Sequence, residues 1–210
     1  MDPFVVLIKV FAIFIPALIL PGPDFIAVVR SSMTRGTAAG LLTTLGVSTG
    51  LGIYALLGLL GLSAVLMRFE WLALGIRVAG GAYLIYLGIR LLLAKPEAVQ
   101  IVGEGQGRRG NAFLFGLGVT LTNPKAIVLF ASVFATSVTA STPGWLMAVM
   151  VALVAASGVI WYTIVALFMS SAPVIRSFGH MRHRIERAAG ACFVLIGGRI
   201  LADSRTPLTP

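Results

Sequence analysis

The chain has 210 residues, of which 58% are hydrophobic and only 11% charged, and its mean hydropathy is +1.00. An ordinary soluble domain is nearer a quarter charged and a disordered chain has the opposite composition, so both classes are excluded and a membrane protein is expected. The net charge of +9 is scattered between apolar runs rather than gathered on one face, which favours a code for membrane topology over nucleic-acid binding.

A spanning helix needs about 20 mostly apolar residues, and six segments meet or approach this. The first is 4–30, with Lys9 near one end and an interruption at Pro21, Gly22, Pro23 and Asp24. Its apolar run meets Pro-Gly-Pro rather than a small-residue cleavage site, so it is expected to be a retained helix and not a signal peptide. The second lies within 37–67, which carries no charge, and the third is 71–93, with Arg77 and Arg90 near its ends. The fourth, 111–138, is interrupted at Asn123, Pro124 and Lys125. The fifth is 145–169, and the sixth, 185–201, is short and flanked by arginines. A stretch at 170–187 carries Arg176, Arg182, Arg184 and Arg187 and is expected at headgroup level.

The run 94–110 is rich in glycine and charge and reads as a linker, dividing the chain into a first half, 1–93, and a second half, 111–210. Arg30, Arg35, Arg90, Lys95, Arg108, Arg109, Arg176, Arg182, Arg184 and Arg187 fall on one side, against Lys9, Arg68, Arg77, Arg199 and Arg205 on the other. This bias places the linker in the cytoplasm and both termini outside. Three helices per half require similar halves to run in opposite senses across the bilayer. Each half opens with a proline-broken helix, the arrangement of many inverted-repeat transporters. The predicted fold is an all-α integral membrane protein of six transmembrane helices in two inverted three-helix repeats, with helices one and four broken.

The breaks carry the chemistry. Proline removes a backbone donor and clashes with the preceding turn, so one helix ends near Leu20 and another starts near Pro23. The N–H groups exposed there need a partner in lipid, and a substrate carboxylate is one that the partly positive helix end attracts. Asp24 is the only acid between Asp2 and Glu70. Such a carboxylate binds a substrate ammonium group, carries a proton, or does both; the alternative is a simple cap of the broken helix. Lys125 is the only charged residue between Arg109 and Arg176 and needs a counter-charge or a wet cavity. Asp24 is its expected partner across the interface between halves; the alternative is a lysine reaching a polar edge.

Other features read as structural. The glycines of segments two and three, including Gly46, Gly81 and Gly88, suit close helix packing. Tyr83 and Tyr86 share a helix face and line either a cavity or the membrane surface, and Trp71, Trp145 and Trp161 read as interfacial anchors. Cys192 reads as a structural thiol. His180 and His183 stand among arginines with Glu186 as their one nearby acid, which argues for a solvated basic loop rather than a metal site. The chain has no HExxH pair, GxSxG elbow or glycine-rich nucleotide loop, so no enzyme activity, metal or cofactor is expected.

The run PGPDFIAVVRSSMTRGTAAGLLTTLGVSTG, the later RVAGGAYLIYLGIRLL and the NPKA at 123–126 resemble the lysine-exporter type (LysE/RhtB) translocators. The likeness spans almost the whole chain, in length, six hydrophobic segments, central linker and two proline breaks. It implies a bacterial inner-membrane exporter of amino acids or their derivatives, coupled to protons and dimeric. Pro21, Gly22, Pro23, Asp24, Asn123, Pro124 and Lys125 match the motif positions. One departure is that the family often has Pro-Gln-Phe near the end of the fourth helix, where this chain has Val133, Phe134, Ala135, Thr136 and Ser137. The competing readings are an exporter of another small solute or ion, a non-transporting membrane interaction subunit and an intramembrane enzyme.

Overall fold

The computed structural model describes residues 2–68, 70–93, 111–138, 142–168 and 172–203. Among these residues the regular structure is helical, in eight elements: α1 (Pro3–Ile19), α2 (Pro23–Arg35), α3 (Thr37–Arg68), α4 (Glu70–Leu92), α5 (Ala112–Leu121), α6 (Pro124–Ser137), α7 (Gly144–Phe168) and α8 (Ala172–Asp203). The linker 94–110 lies outside the described residues.

The prolines divide the first and fourth segments as their chemistry requires. The α1 and α2 axes bend by 45° at the Pro-Gly-Pro sequence, and those of α5 and α6 by 61°. Each broken pair is long and apolar enough to be one crossing, as are Thr37–Gly61 within α3 and the whole of α7. That makes up to four candidate spans among the described residues. Within α4 the apolar stretch is shorter, Val78–Leu92.

The last helix departs from the sequence reading. The expected polar connection at 170–187 and short helix at 185–201 are largely one helix, α8, from Ala172 to Asp203. Arginines set where lipid ends, but they are good helix formers and do not end the backbone ladder. His183 is therefore on a helix, half-buried, and not in a loop; the side chain of His180 lies outside the described residues. Trp161 sits in the body of α7, packed against the core, whereas Trp145 at the helix start is exposed as an anchor would be.

Helix ends follow ordinary capping. Asp2 caps α1 by accepting from the Phe4 N–H at 2.9 Å, with Pro3 at the first position. Asn111 caps α5 in the same way. Gly36 joins α2 to α3 with φ of +85°, a left-handed conformation that side-chain-bearing residues rarely adopt.

Pro16 lies inside α1 and has no N–H to give to the carbonyl of Ala12. The Cys192 thiol of α8 donates to that carbonyl at 3.6 Å. The structural reading of this cysteine thus gains a cause: it partners a backbone group that proline leaves open, where lipid offers none.

Glycines set the closest approaches. A Cβ on Gly88 of α4 would lie 2.6 Å from the Gly190 carbonyl oxygen of α8, and one on Gly190 would lie 2.8 Å from that of Gly88. Two turns along, a Cβ on Gly197 would lie 2.6 Å from the Gly81 carbonyl oxygen. The α4–α8 contact is thus nearly backbone on backbone. Between α3 and α5, Gly46 faces the Phe113 carbonyl and Gly116 faces that of Thr43. Small residues permit such packing where lipid gives no hydrophobic drive for helix association.

Gly118, on the same helix as Gly116, has open space where its Cβ would be. Gly116→Leu is therefore expected to destabilise the folded protein by about 1–3 kcal/mol through overpacking, while Gly118→Leu has little effect. Thermal melting of the two purified variants in detergent checks this: equal melting temperatures would contradict the α3–α5 packing.

Candidate functional site between the broken helices

The two breaks meet. Gly22, Pro23 and Asp24 from the first, and Asn123 and Lys125 from the second, line one pocket. Its apolar wall includes Phe14 and Leu18 of α1, Leu51 of α3, Phe130 of α6 and Tyr162 of α7. Pro21 lies in the first break but outside the lining, and Pro124 is the first residue of α6.

Each charged residue stands in the first turn of a half-helix. Asp24 is the second residue of α2, favourably placed at the partly positive end of the helix dipole. Lys125 is the second residue of α6, against the dipole's preference, so its position needs other support. Gly22, the residue before α2, has no side chain and caps the helix without a side-chain hydrogen bond. Asn123 caps α6, accepting from the Lys125 N–H at 3.1 Å.

Asp24 is only 7% exposed and is held by the other half of the chain. Thr120 Oγ1 of α5 donates to its Oδ1 at 3.1 Å, and Asn123 Nδ2 donates to its Oδ2 at 3.4 Å. Hydrogen bonds to a charged group contribute about 1.5–3 kcal/mol each, enough to offset much of the cost of burial. The expected Asp24–Lys125 relation therefore takes a particular form. Among the described residues the carboxylate is held by hydrogen bonds rather than by a direct ion pair, and the Lys125 charge acts on it across the pocket. Asn123 links the two, with its amide on Asp24 and its oxygen on the Lys125 backbone.

The second break exposes a carbonyl as well as donors. Tyr54 of α3 donates its hydroxyl to the Leu121 carbonyl at 2.7 Å, and its ring stacks on Phe130 with centroids 6.1 Å apart. The non-helical backbone is thus satisfied from a neighbouring helix, as lipid requires.

Thr120, Tyr54 and Tyr162 were not legible as site residues. Thr120 stands one helical turn before Pro124 and also bonds the Gly116 carbonyl at 3.3 Å, as an ordinary helix threonine does. The tyrosine pair singled out in the sequence, Tyr83 and Tyr86, is elsewhere: its rings lie 6.2 Å apart, Arg90 sits over Tyr86, and neither lines the pocket. Among the described residues no group of three or more His, Cys, Asp or Glu side chains is placed to hold a metal ion.

The cavity is about 30 Å³. That is space for roughly one or two water molecules.

Known proteins place the chain. The sequence model of the LysE type translocator family matches residues 15–204. The threonine efflux protein of Escherichia coli K12 is 33% identical over 88% of this chain and 92% of its own length. The threonine efflux protein of Salmonella typhimurium LT2 is 32% identical with the same coverage, and the E. coli K12 membrane protein YahN is 29% identical over 98% of this chain and 93% of its own. No solved structure matches. With a family match over most of its length and relatives of this similarity, the chain belongs to the LysE type translocators, and is a transporter rather than an enzyme.

Proposed function

We propose that this protein exports amino acids or their derivatives across the bacterial inner membrane, with the pocket between the broken helices as the cargo site and protons as the counter-ion. The observation that carries the reading is the convergence of Asp24, Asn123 and Lys125 on one pocket at the starts of α2 and α6. An amino acid carries one anion and one cation, and this pocket offers a partner for each. Its carboxylate is received by Lys125 and the partly positive start of α2, and its ammonium by Asp24. The apolar wall takes the side chain. Threonine is the first cargo to test, because relatives similar over nearly their whole length are threonine efflux proteins.

Six crossings in two inverted halves follow if α1–α2 and α5–α6 are each one span and α4 and α8 also cross. The second helices of the two halves, α3 and α7, pack directly on each other, as do the third, α4 and α8. The arginine bias puts the linker in the cytoplasm, and a homodimer is the proposed assembly. A cavity of about 30 Å³ must widen to admit an amino acid, so the half-helices move against each other in the cycle. Asp24 exchanges its proton between the two sides in that cycle, coupling export to the gradient.

Counterflow of labelled amino acids into proteoliposomes tests the cargo class. Exchange of L-threonine above empty liposomes is expected, and no exchange of any amino acid contradicts the reading. Asp24→Asn is expected to abolish uptake driven by a proton gradient; uptake that still follows the gradient removes Asp24 from the coupling. Thr120→Val keeps the shape but withdraws one hydrogen bond from the Asp24 carboxylate, and transport is expected to fall roughly tenfold. A rate equal to the parent's would mean that this bond does not hold Asp24 for transport.

A further inference from the structure

One polar group of the pocket is left without a task. Of the residues that line it, Asp24, Asn123, Lys125 and Tyr162 carry polar side chains, and the others are apolar, glycine or proline. The first three are committed in the proposed reading. Asn123 bonds Asp24 and the Lys125 backbone, and the two charged groups face the charges of the cargo. Tyr162 of α7 is 3% exposed and belongs to the same core as Phe14, Leu51 and Phe130. Its position is fixed from α3, where Thr44 Oγ1 donates to its backbone carbonyl at 3.2 Å. One turn earlier, a Cβ on Gly158 would lie 3.0 Å from Leu51 Cδ1, and Leu51 is itself part of the lining. The contact between α3 and α7 thus brings this phenol to the pocket. Among the described residues no hydrogen bond occupies its hydroxyl, whereas that of Tyr54 is taken by the Leu121 carbonyl. The Asp24 charge acts on it across the shared pocket. Buried tyrosine hydroxyls as a rule find a partner, and the pocket is where one has room.

We infer that Tyr162 is a specificity-determining residue, its hydroxyl bonding a hydroxyl on the side chain of the cargo, so that the site favours a hydroxylated amino acid over an apolar one of the same shape. The inference rests on the pocket being the cargo site. With the cargo carboxylate on Lys125 and its ammonium on Asp24, the side chain faces the remaining lining, which is apolar apart from this phenol. An apolar wall alone would favour valine over threonine, because the two have nearly the same shape and only threonine has a hydroxyl to strip of water. A phenol in the wall reverses the order. Threonine gives it a partner, whereas valine leaves the phenol hydroxyl unpaired in an apolar cavity. The phenol both donates and accepts, so it matches a hydroxyl presented in either sense.

Competition in proteoliposomes of the full chain tests this, read as the concentration of unlabelled amino acid that halves counterflow of labelled L-threonine. L-Valine, which has a methyl in place of the threonine hydroxyl, is expected to require roughly tenfold more than L-threonine in the parent. In Tyr162→Phe, which keeps the ring and removes the hydroxyl, the two concentrations are expected to agree within about twofold. Equal concentrations in the parent overturn the inference. A ratio that Tyr162→Phe leaves unchanged also overturns it, even where both amino acids bind more weakly, because a tyrosine that only held α7 or Asp24 in place would affect both alike. Tyr54→Phe removes a hydroxyl that serves the backbone and is expected to keep the parent's ratio; loss of the ratio there as well would assign the selectivity to general packing and overturn the inference. If Tyr162→Phe does not fold, Tyr162→Met decides by the same outcomes. Counterflow of L-threonine with an unchanged ratio removes Tyr162 and leaves the cargo reading in place, whereas counterflow of no amino acid removes both.

Discussion

A peptide group freed from its helix inside a lipid bilayer has no water to turn to, and this constraint organises the molecule. Prolines at Pro16, Pro23 and Pro124 each withdraw a backbone donor or end a ladder, and side chains answer the first and the last. Cys192 takes the Ala12 carbonyl, Tyr54 takes that of Leu121, and Asn123 takes the Lys125 N–H. At the α2 start no side chain caps the helix. The break whose cap residue brings no side chain is the one that also carries Asp24.

The same economy links the two halves of the chain. Asp24 belongs to the first half, but the side chains that hold its carboxylate, Thr120 and Asn123, belong to the second. Gly46 and Gly116 let α3 and α5 approach until backbone meets backbone, which brings Thr120 into register with α2. A helix contact that looks like packing alone therefore positions the acid. The distinction between scaffold and site is weak here, because the cost of burying one carboxylate is offset by groups on α5 and at the start of α6.

Much of this was legible in the sequence, for particular reasons. Proline has one dominant effect on a helix, so both breaks could be placed within a residue or two. Asp24 and Lys125 stood out because each is a single charge in a long uncharged run. Thr120 and Tyr162 did not, since threonine and tyrosine are common in membrane helices and only the tertiary register brings Thr120 to Asp24 and Tyr162 to the pocket. Glu186 was hidden by its neighbours. Flanked by Arg184 and Arg187, it read as part of a solvated stretch, and its burial depends on α8 running unbroken through that stretch to pack on α4. Arginine content marks distance from lipid and says little about where a helix starts.

The central claim is that cargo sits between the starts of α2 and α6. Ala126 is 5% exposed and lines the pocket beside Lys125. A single cysteine placed there in a Cys192→Ala background reports on the space directly, through its rate of modification by a small water-soluble maleimide in proteoliposomes. Bound cargo fills that space, so the account predicts that L-threonine slows the modification in a concentration-dependent way. A modification rate indifferent to L-threonine, in protein that still transports it, would place the cargo elsewhere.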